Sequence, residues 1–194
     1  MNRIITIGRE HGSGGREIGV KLSEKLGCPL FDKEIINEAA KKSRINQELF
    51  EKYDERALSS SLYAMVIGIS ADPAAQPLSI RIQKAYAETI HEFAKEPCII
   101  VGRSADYLLR DCKNLITFFI TADRNARISR IAARYGISEE EADKMILKQD
   151  KARAGYYRSM TGNTWGMASN YDFCLNSSRF GIDKTVEIVE KIVR

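Results

Sequence analysis

The 194-residue sequence predicts an α/β fold built on a five-stranded parallel sheet, and three observations carry that prediction. Five short apolar runs have strand character: Ile4–Gly8, Pro29–Phe31, Cys98–Gly102, Leu115–Thr121 and Tyr171–Asn176. Amphipathic patterns of helical period separate most of them, and strands alternating with helices favour a parallel sheet covered on both faces. The first run then breaks into glycines before entering a helical pattern, as a phosphate-binding turn does.

Taken in order, Ile4, Ile5 and Ile7 suit a strand buried on both faces. Gly12, Gly14 and Gly15 follow, with Ser13 among them, and let backbone N–H groups approach an anion without Cβ obstruction. Ile18, Val20, Leu22 and Leu26 then mark a helix whose positive dipole end faces the same spot. Gly15-Arg16-Glu17 stands where the common nucleotide-binding turn has Gly-Lys-Ser/Thr, so the motif points to phosphate without specifying ATP. Arg16 can replace the charge of the lysine; its bland alternative is a solvated first-turn arginine.

The second run ends at Asp32, which reads equally as a site carboxylate or as the N-cap of the next helix. Ser43–Asp54 and Ala57–Lys95 are mostly helical around a softer centre, Ser70–Pro77, where Asp72-Pro73 and Gln76-Pro77 mark a loop. This is the expected insert, on the side where loops after strands build ligand sites. Arg103 lies just beyond the third, fully apolar run and faces the crevice by the same logic, unless it simply pairs with a surface carboxylate. Arg127, Arg130 and Arg134 recur at i, i+3 and i+7, a positive stripe that is either functional or merely solvated. Ser138 with Glu141 has capping-box spacing. Asp150 and Arg153 lie one helical turn apart, which fits an ion pair as well as a site. Arg158–Asn170, rich in small polar residues, is expected to be a mobile loop. Tyr156, Tyr157 and Trp165 either stack on a base or anchor that loop.

Thirty basic against 26 acidic residues give a charge of +4, compatible with anionic small molecules. There is no basic stripe with interleaved aromatics, so nucleic acid is not an expected partner. Four cysteines without C-x-x-C spacing suggest reduced thiols and a cytoplasmic protein. The N-terminus enters a strand pattern directly, and no apolar run has membrane-spanning length, so neither export nor a membrane is expected. His11 and His91 have no cysteine nearby, and no metal-ligating residues are assigned. A G-x-S-x-G elbow is absent from the sequence, which leaves serine hydrolase chemistry without support.

Together these segments resemble the cytidylate kinase-like proteins among the P-loop nucleoside monophosphate kinases, over nearly the whole chain. Against the loop G-x-S-G-x-G-K-G-T, Gly12, Ser13 and Gly14 match, while Arg9 stands for the first glycine and Gly15 for the lysine. Asp32 is similar to the aspartate of an L-D-T-G segment, Ile80-Arg81 to a V-R pair, and Gly102-Arg103-Ser104 to G-R-D. Arg127 and Arg130 are similar to lid arginines, and Asp150 with Arg153 to D-S-x-R.

The resemblance implies a P-loop three-layer sandwich forming a single kinase domain, with a monophosphate-binding helical insert at about residues 43–95 and a lid at about 124–153. It implies ATP with Mg²⁺ as donor and a nucleoside monophosphate, CMP or dCMP first, as acceptor. Gly12–Arg16 would cradle the donor phosphates. Arg81 and Arg103 would hold the acceptor phosphate, Asp32 and Asp150 would orient the acceptor nucleoside, and Arg127, Arg130 and Arg153 would close over the transferring group. A kinase for another small acceptor, or a nucleotide-binding module without turnover, are the alternatives.

Overall fold

The computed structural model describes residues 3–53 and 77–194. Its elements run β1 (Ile4–Arg9), α1 (Gly15–Leu26), β2 (Leu30–Phe31), α2 (Glu34–Ser43), α3 (Gln47–Tyr53), α4 (Leu78–Phe93), β3 (Cys98–Val101), α5 (Ala105–Leu108), β4 (Leu115–Thr121), α6 (Arg124–Tyr135), α7 (Glu139–Thr161), β5 (Phe173–Asn176) and α8 (Ser177–Val193). The strands form one parallel sheet in the order β2-β3-β1-β4-β5. All five expected runs are strands, with ends displaced by at most two residues.

Alternation along β1 divides the core in two. Ile4 faces a cluster containing Ile35, Ala39, Phe50, Ile82, Tyr86 and Ile90 from α2, α3 and α4. Ile5 and Ile7 face Ile18 and Leu22 of α1 with Val186 and Val189 of α8. Each fully buried Ile or Leu stabilises by about 1.5–3 kcal/mol, so burial on both faces makes the sheet the rigid part of the molecule. Because every strand is parallel, all their carboxyl ends share one edge of the sheet. Among the described residues of the expected insert, Phe50 packs edge-to-face on Tyr86 with ring centroids 5.2 Å apart, inside the sheet-facing core. Asp72-Pro73 and Gln76 lie outside the described residues.

Helices α6 and α7 carry a small core of their own, Ile131, Ala142 and Ile146. The expected capping box starts α7: the Glu141 N–H donates to Ser138 Oγ at 3.2 Å and the Ser138 N–H to Glu141 Oε2 at 3.0 Å. Two expectations need correction. Helix α7 continues through Arg158 to Thr161, because Tyr156 and Tyr157 bury on its inner face and extend its packing beyond the apparent loop boundary. The remainder is anchored: Trp165 packs edge-to-face on Phe119 at 5.3 Å, and Asn170 Nδ2 donates to the Thr164 carbonyl at 2.7 Å. The cysteines are all free, yet Cys174 is exposed because β5 is an edge strand. Burial pushes the Cys98 thiol up to about 12. Among the described residues no helix is long and apolar enough to cross a membrane.

Candidate active site

Beyond Arg9 the chain turns through Gly12 (φ 82°) and Gly14 (φ 80°), left-handed conformations that favour glycine. Space demands it too, since a Cβ on Gly14 would meet Ile182 Cδ1 at 2.3 Å. Ser13, fully buried, ties the turn together: its Oγ donates to the Glu10 carbonyl at 2.9 Å and accepts from the Gly15 N–H at 3.4 Å. Among the described residues, nothing accepts the N–H of Gly12 or Gly14. Both glycines line an open cleft of about 830 Å³ at the N-terminus of α1. Unpaired N–H groups at the positive end of a helix make an anion cradle.

Asp32 is the centre of the cleft's floor. It is not the N-cap of α2, which begins after Lys33 without a side-chain cap. Its buried carboxylate accepts from Arg16 Nε at 2.8 Å through Oδ2, while Oδ1 lies 3.4 Å from Arg103 Nη1 and 4.0 Å from Arg9 Nη2. These arginines arrive from α1, from the end of β3 and from the end of β1. Three guanidiniums thus converge on one carboxylate at the edge of the cleft. The turn after β3 is strained to aim one of them: Arg103 and Ser104 both have φ 52°, unusual for residues with a Cβ, and Arg103 is buried.

The roof is wired differently. Arg127 is buried and pairs with Glu10 at 3.1 Å and with Asp150, and its Nε donates to the His11 carbonyl at 2.8 Å. Asp150 also accepts the His11 N–H at 2.8 Å. Arg127 and Asp150 thus hold the phosphate turn between them. Arg130 pairs with Glu17 at 3.2 Å, both half exposed, and Arg153 Nη1 donates to the Arg9 carbonyl at 3.1 Å. The expected arginine stripe is therefore split: Arg127 turns inward, whereas Arg130 and Arg134 line the cleft. Burial, with Arg153, Arg127, Arg134 and Arg9 nearby, lowers the His11 pKa to about 4, so its imidazole is neutral at pH 7.

Arg81 sits in the first turn of α4 and does not line the cleft. Alongside the cleft, a cavity of about 20 Å³ is lined by Gly8, Arg103, Asp106, Arg153, Tyr157 and Trp165. Burial raises the Asp106 carboxyl to about 6, against the opposing hydrogen bond from Tyr157 Oη at 2.8 Å. Sequence reasoning assigned no role to Arg9, Glu10 or Asp106. For Arg9 a signal existed, an arginine where the common turn has its first glycine. Glu10 and Asp106 carry none. Among the described residues no three His, Cys, Asp or Glu side chains form a metal-binding group.

A parallel sheet, a glycine turn entering α1 and an arginine-lined cleft at the strand ends define a P-loop nucleoside monophosphate kinase fold. A profile of the cytidylate kinase-like family matches residues 4–179, and the chain belongs to that family. It is 26% identical over 190 residues to a cytidylate kinase of Methanocorpusculum labreanum, covering 97% of this chain and 95% of the relative. The cytidylate kinase of Pyrococcus horikoshii is 24% identical over 192 residues, covering 98% and 88%. Among solved structures, an uncharacterized protein from Eubacterium ventriosum superposes with TM-score 0.75 at 28% identity, covering 100% and 98% of the two chains. The shikimate kinase of Bacteroides thetaiotaomicron superposes with TM-score 0.57 at 14% identity, over 100% and 99%, and shares the fold.

Proposed function

We propose that this enzyme transfers the terminal phosphoryl group of ATP to a nucleoside monophosphate, CMP or dCMP being the first acceptors to test, as a cytoplasmic protein acting on small nucleotides. The observation that carries the reading is the presence, in one cleft, of unpaired Gly12 and Gly14 N–H groups together with the guanidiniums of Arg9, Arg16 and Arg103. Phosphoryl transfer asks a protein mainly for position and for positive charge around the phosphates, and this cleft offers both.

In this reading the turn Gly12–Arg16 receives the donor phosphates, with Ser13 holding its shape and Gly15 opening the helix. Arg16 and Arg103 leave Asp32 in part to meet phosphate oxygens, and Asp32, relieved of them, accepts from the acceptor nucleoside. Arg130 and Arg153 close from the roof, excluding water that would otherwise take the phosphoryl group. Arg127 and Asp150 act through the turn they brace, and Arg81 reaches the acceptor phosphate only if α4 moves toward the cleft. Mg²⁺, held chiefly by phosphates and waters, would neutralise charge on the donor.

The test is ADP formation from Mg-ATP with CMP, dCMP, UMP, AMP and GMP against a blank without acceptor. Turnover with CMP or dCMP in the range of about 1–100 s⁻¹ supports the reading. Blank rates with all five acceptors would sink it and leave another small acceptor, or binding without turnover.

A further inference from the structure

Position 15 carries glycine where the common turn carries lysine, so the start of α1 supplies no cation of its own there. The reason is visible in the packing. A Cβ on Gly15 would lie 2.5 Å from Cβ and 3.2 Å from Cγ of Arg9, and 3.3 Å from Ile120 Cβ. Gly15 is absent from the positive-φ residues, so its backbone conformation would admit any side chain. The space, not the conformation, demands glycine, and it is Arg9 that fills the space. The Arg9 side chain is 12% exposed, crosses the first residue of α1, and brings its guanidinium to the cleft 4.0 Å from Asp32 Oδ1. Its own backbone is fixed from the roof by the hydrogen bond from Arg153 to its carbonyl.

We infer that Arg9 is the phosphate-binding cation of this turn and that Arg9 and Gly15 are a matched pair replacing the glycine and lysine of the common pattern. The charge comes from the end of strand β1 rather than from the start of helix α1. A guanidinium suits the post because it stays charged and donates in a fork that fits two phosphate oxygens, where an ammonium is a point charge. Arg16, half exposed one residue into the helix, then acts beside Arg9 rather than in place of the lysine. This inference rests on the reading of the cleft as a nucleotide phosphate site, not on the identity of the acceptor.

The experiment is a titration of Mg-ATP by calorimetry, which needs no turnover, on the full-length wild type, Arg9→Met, Arg9→Gly, Gly15→Ala and the double variant Arg9→Gly with Gly15→Ala. Arg9→Met is expected to weaken ATP binding at least tenfold. Gly15→Ala is expected to do the same by displacing the arginine, and Arg9→Gly with Gly15→Ala, which removes the clashing Cβ and Cγ, to bind no worse than Arg9→Gly alone. An Asp32→Asn background separates phosphate contact from simple pairing with Asp32: the tenfold loss from Arg9→Met is expected to persist there. Arg9→Lys keeps a cation and the fold, and is expected to recover most of the affinity if Arg9→Met proves unstable. Restoring the common pattern, Arg9→Gly with Gly15→Lys, is expected to bind ATP at least tenfold better than Arg9→Gly alone. Unchanged ATP affinity in Arg9→Met, or additive losses in the double variant, would overturn the inference while leaving the kinase reading intact. Failure of the wild type to bind ATP would overturn both.

Discussion

Two arginine–carboxylate clusters flank the glycine turn with opposite numbers of arginines and carboxylates. On the floor, Arg9, Arg16 and Arg103 surround the single carboxylate of Asp32. On the roof, Glu10 and Asp150 surround the single guanidinium of Arg127. The floor brings three guanidiniums to one carboxylate, and the roof brings two carboxylates to one guanidinium. In the proposed reading the same residue types do different work: the floor meets an anion, and the roof cluster braces the glycine turn through the His11 backbone. A buried arginine in a kinase cleft is not by that fact a substrate-binding arginine.

The largest effect expected is on the roof. Arg127→Met strands two carboxylates that its removal leaves unpaired and should cost about 3–5 kcal/mol of stability, the usual effect of breaking a buried pair. Urea unfolding checks it, and a loss of activity without a loss of stability would make Arg127 a floor-like residue and erase the contrast.

Next come the floor arginines. Arg103→Met and Arg16→Ala should each lower kcat/KM for transfer by about 10²–10³, as loss of one preorganised charge donor does, while the urea midpoint stays near that of the wild type. Stability losses as large as that of Arg127→Met would break the comparison from the other side.

The side cavity sharpens it through pH. Asp106 is raised in the folded state from 3.8 to about 6, so the folded protein holds its proton more tightly than the unfolded chain does. Its contribution is present in full below about pH 4 and is lost as pH rises through 6. Asp106→Asn, which still accepts from Tyr157, should match the wild type near pH 4 and exceed it by about 3 kcal/mol at pH 8. A difference that does not vary between those pH values would remove the account of Asp106. His11 runs the other way: its pKa is depressed to about 4, so the fold loses stability as pH falls from 6.5 toward 4, and His11→Asn should flatten that limb of the pH–stability curve. The smallest effect lies farthest from the cleft. Ser138→Ala removes the capping box of α7 and should cost about 1 kcal/mol in urea unfolding, with transfer unaffected.

Much of this protein is legible without coordinates, for local reasons. Ile4, Ile5, Ile7 and Cys98-Ile-Ile-Val form strands because a branched apolar run has few other places to go. Gly12 and Gly14 mark the turn because left-handed backbone favours glycine, and Ser138 with Glu141 caps a helix through partners three residues apart. Elsewhere local signals mislead. Small polar residues from Arg158 onward suggest a loop, but burial of Tyr156, and of Tyr157 against Phe119 and Tyr171, carries the helix to Thr161.

The sequence by itself determined the sheet, the glycine turn at its carboxyl edge, the family and most of the arginines that line the cleft. Only the tertiary structure decided which arginine does what. Arg127 meets the His11 carbonyl across 116 positions of chain, Arg103 meets Asp32 across 71, and Arg9 occupies the very space that Gly15 leaves open. Periodicity and capping act within a few residues and are written in the local sequence. The pairing of charges depends on which side chains the packed core brings within a few ångströms, and that is settled only when the whole chain has folded.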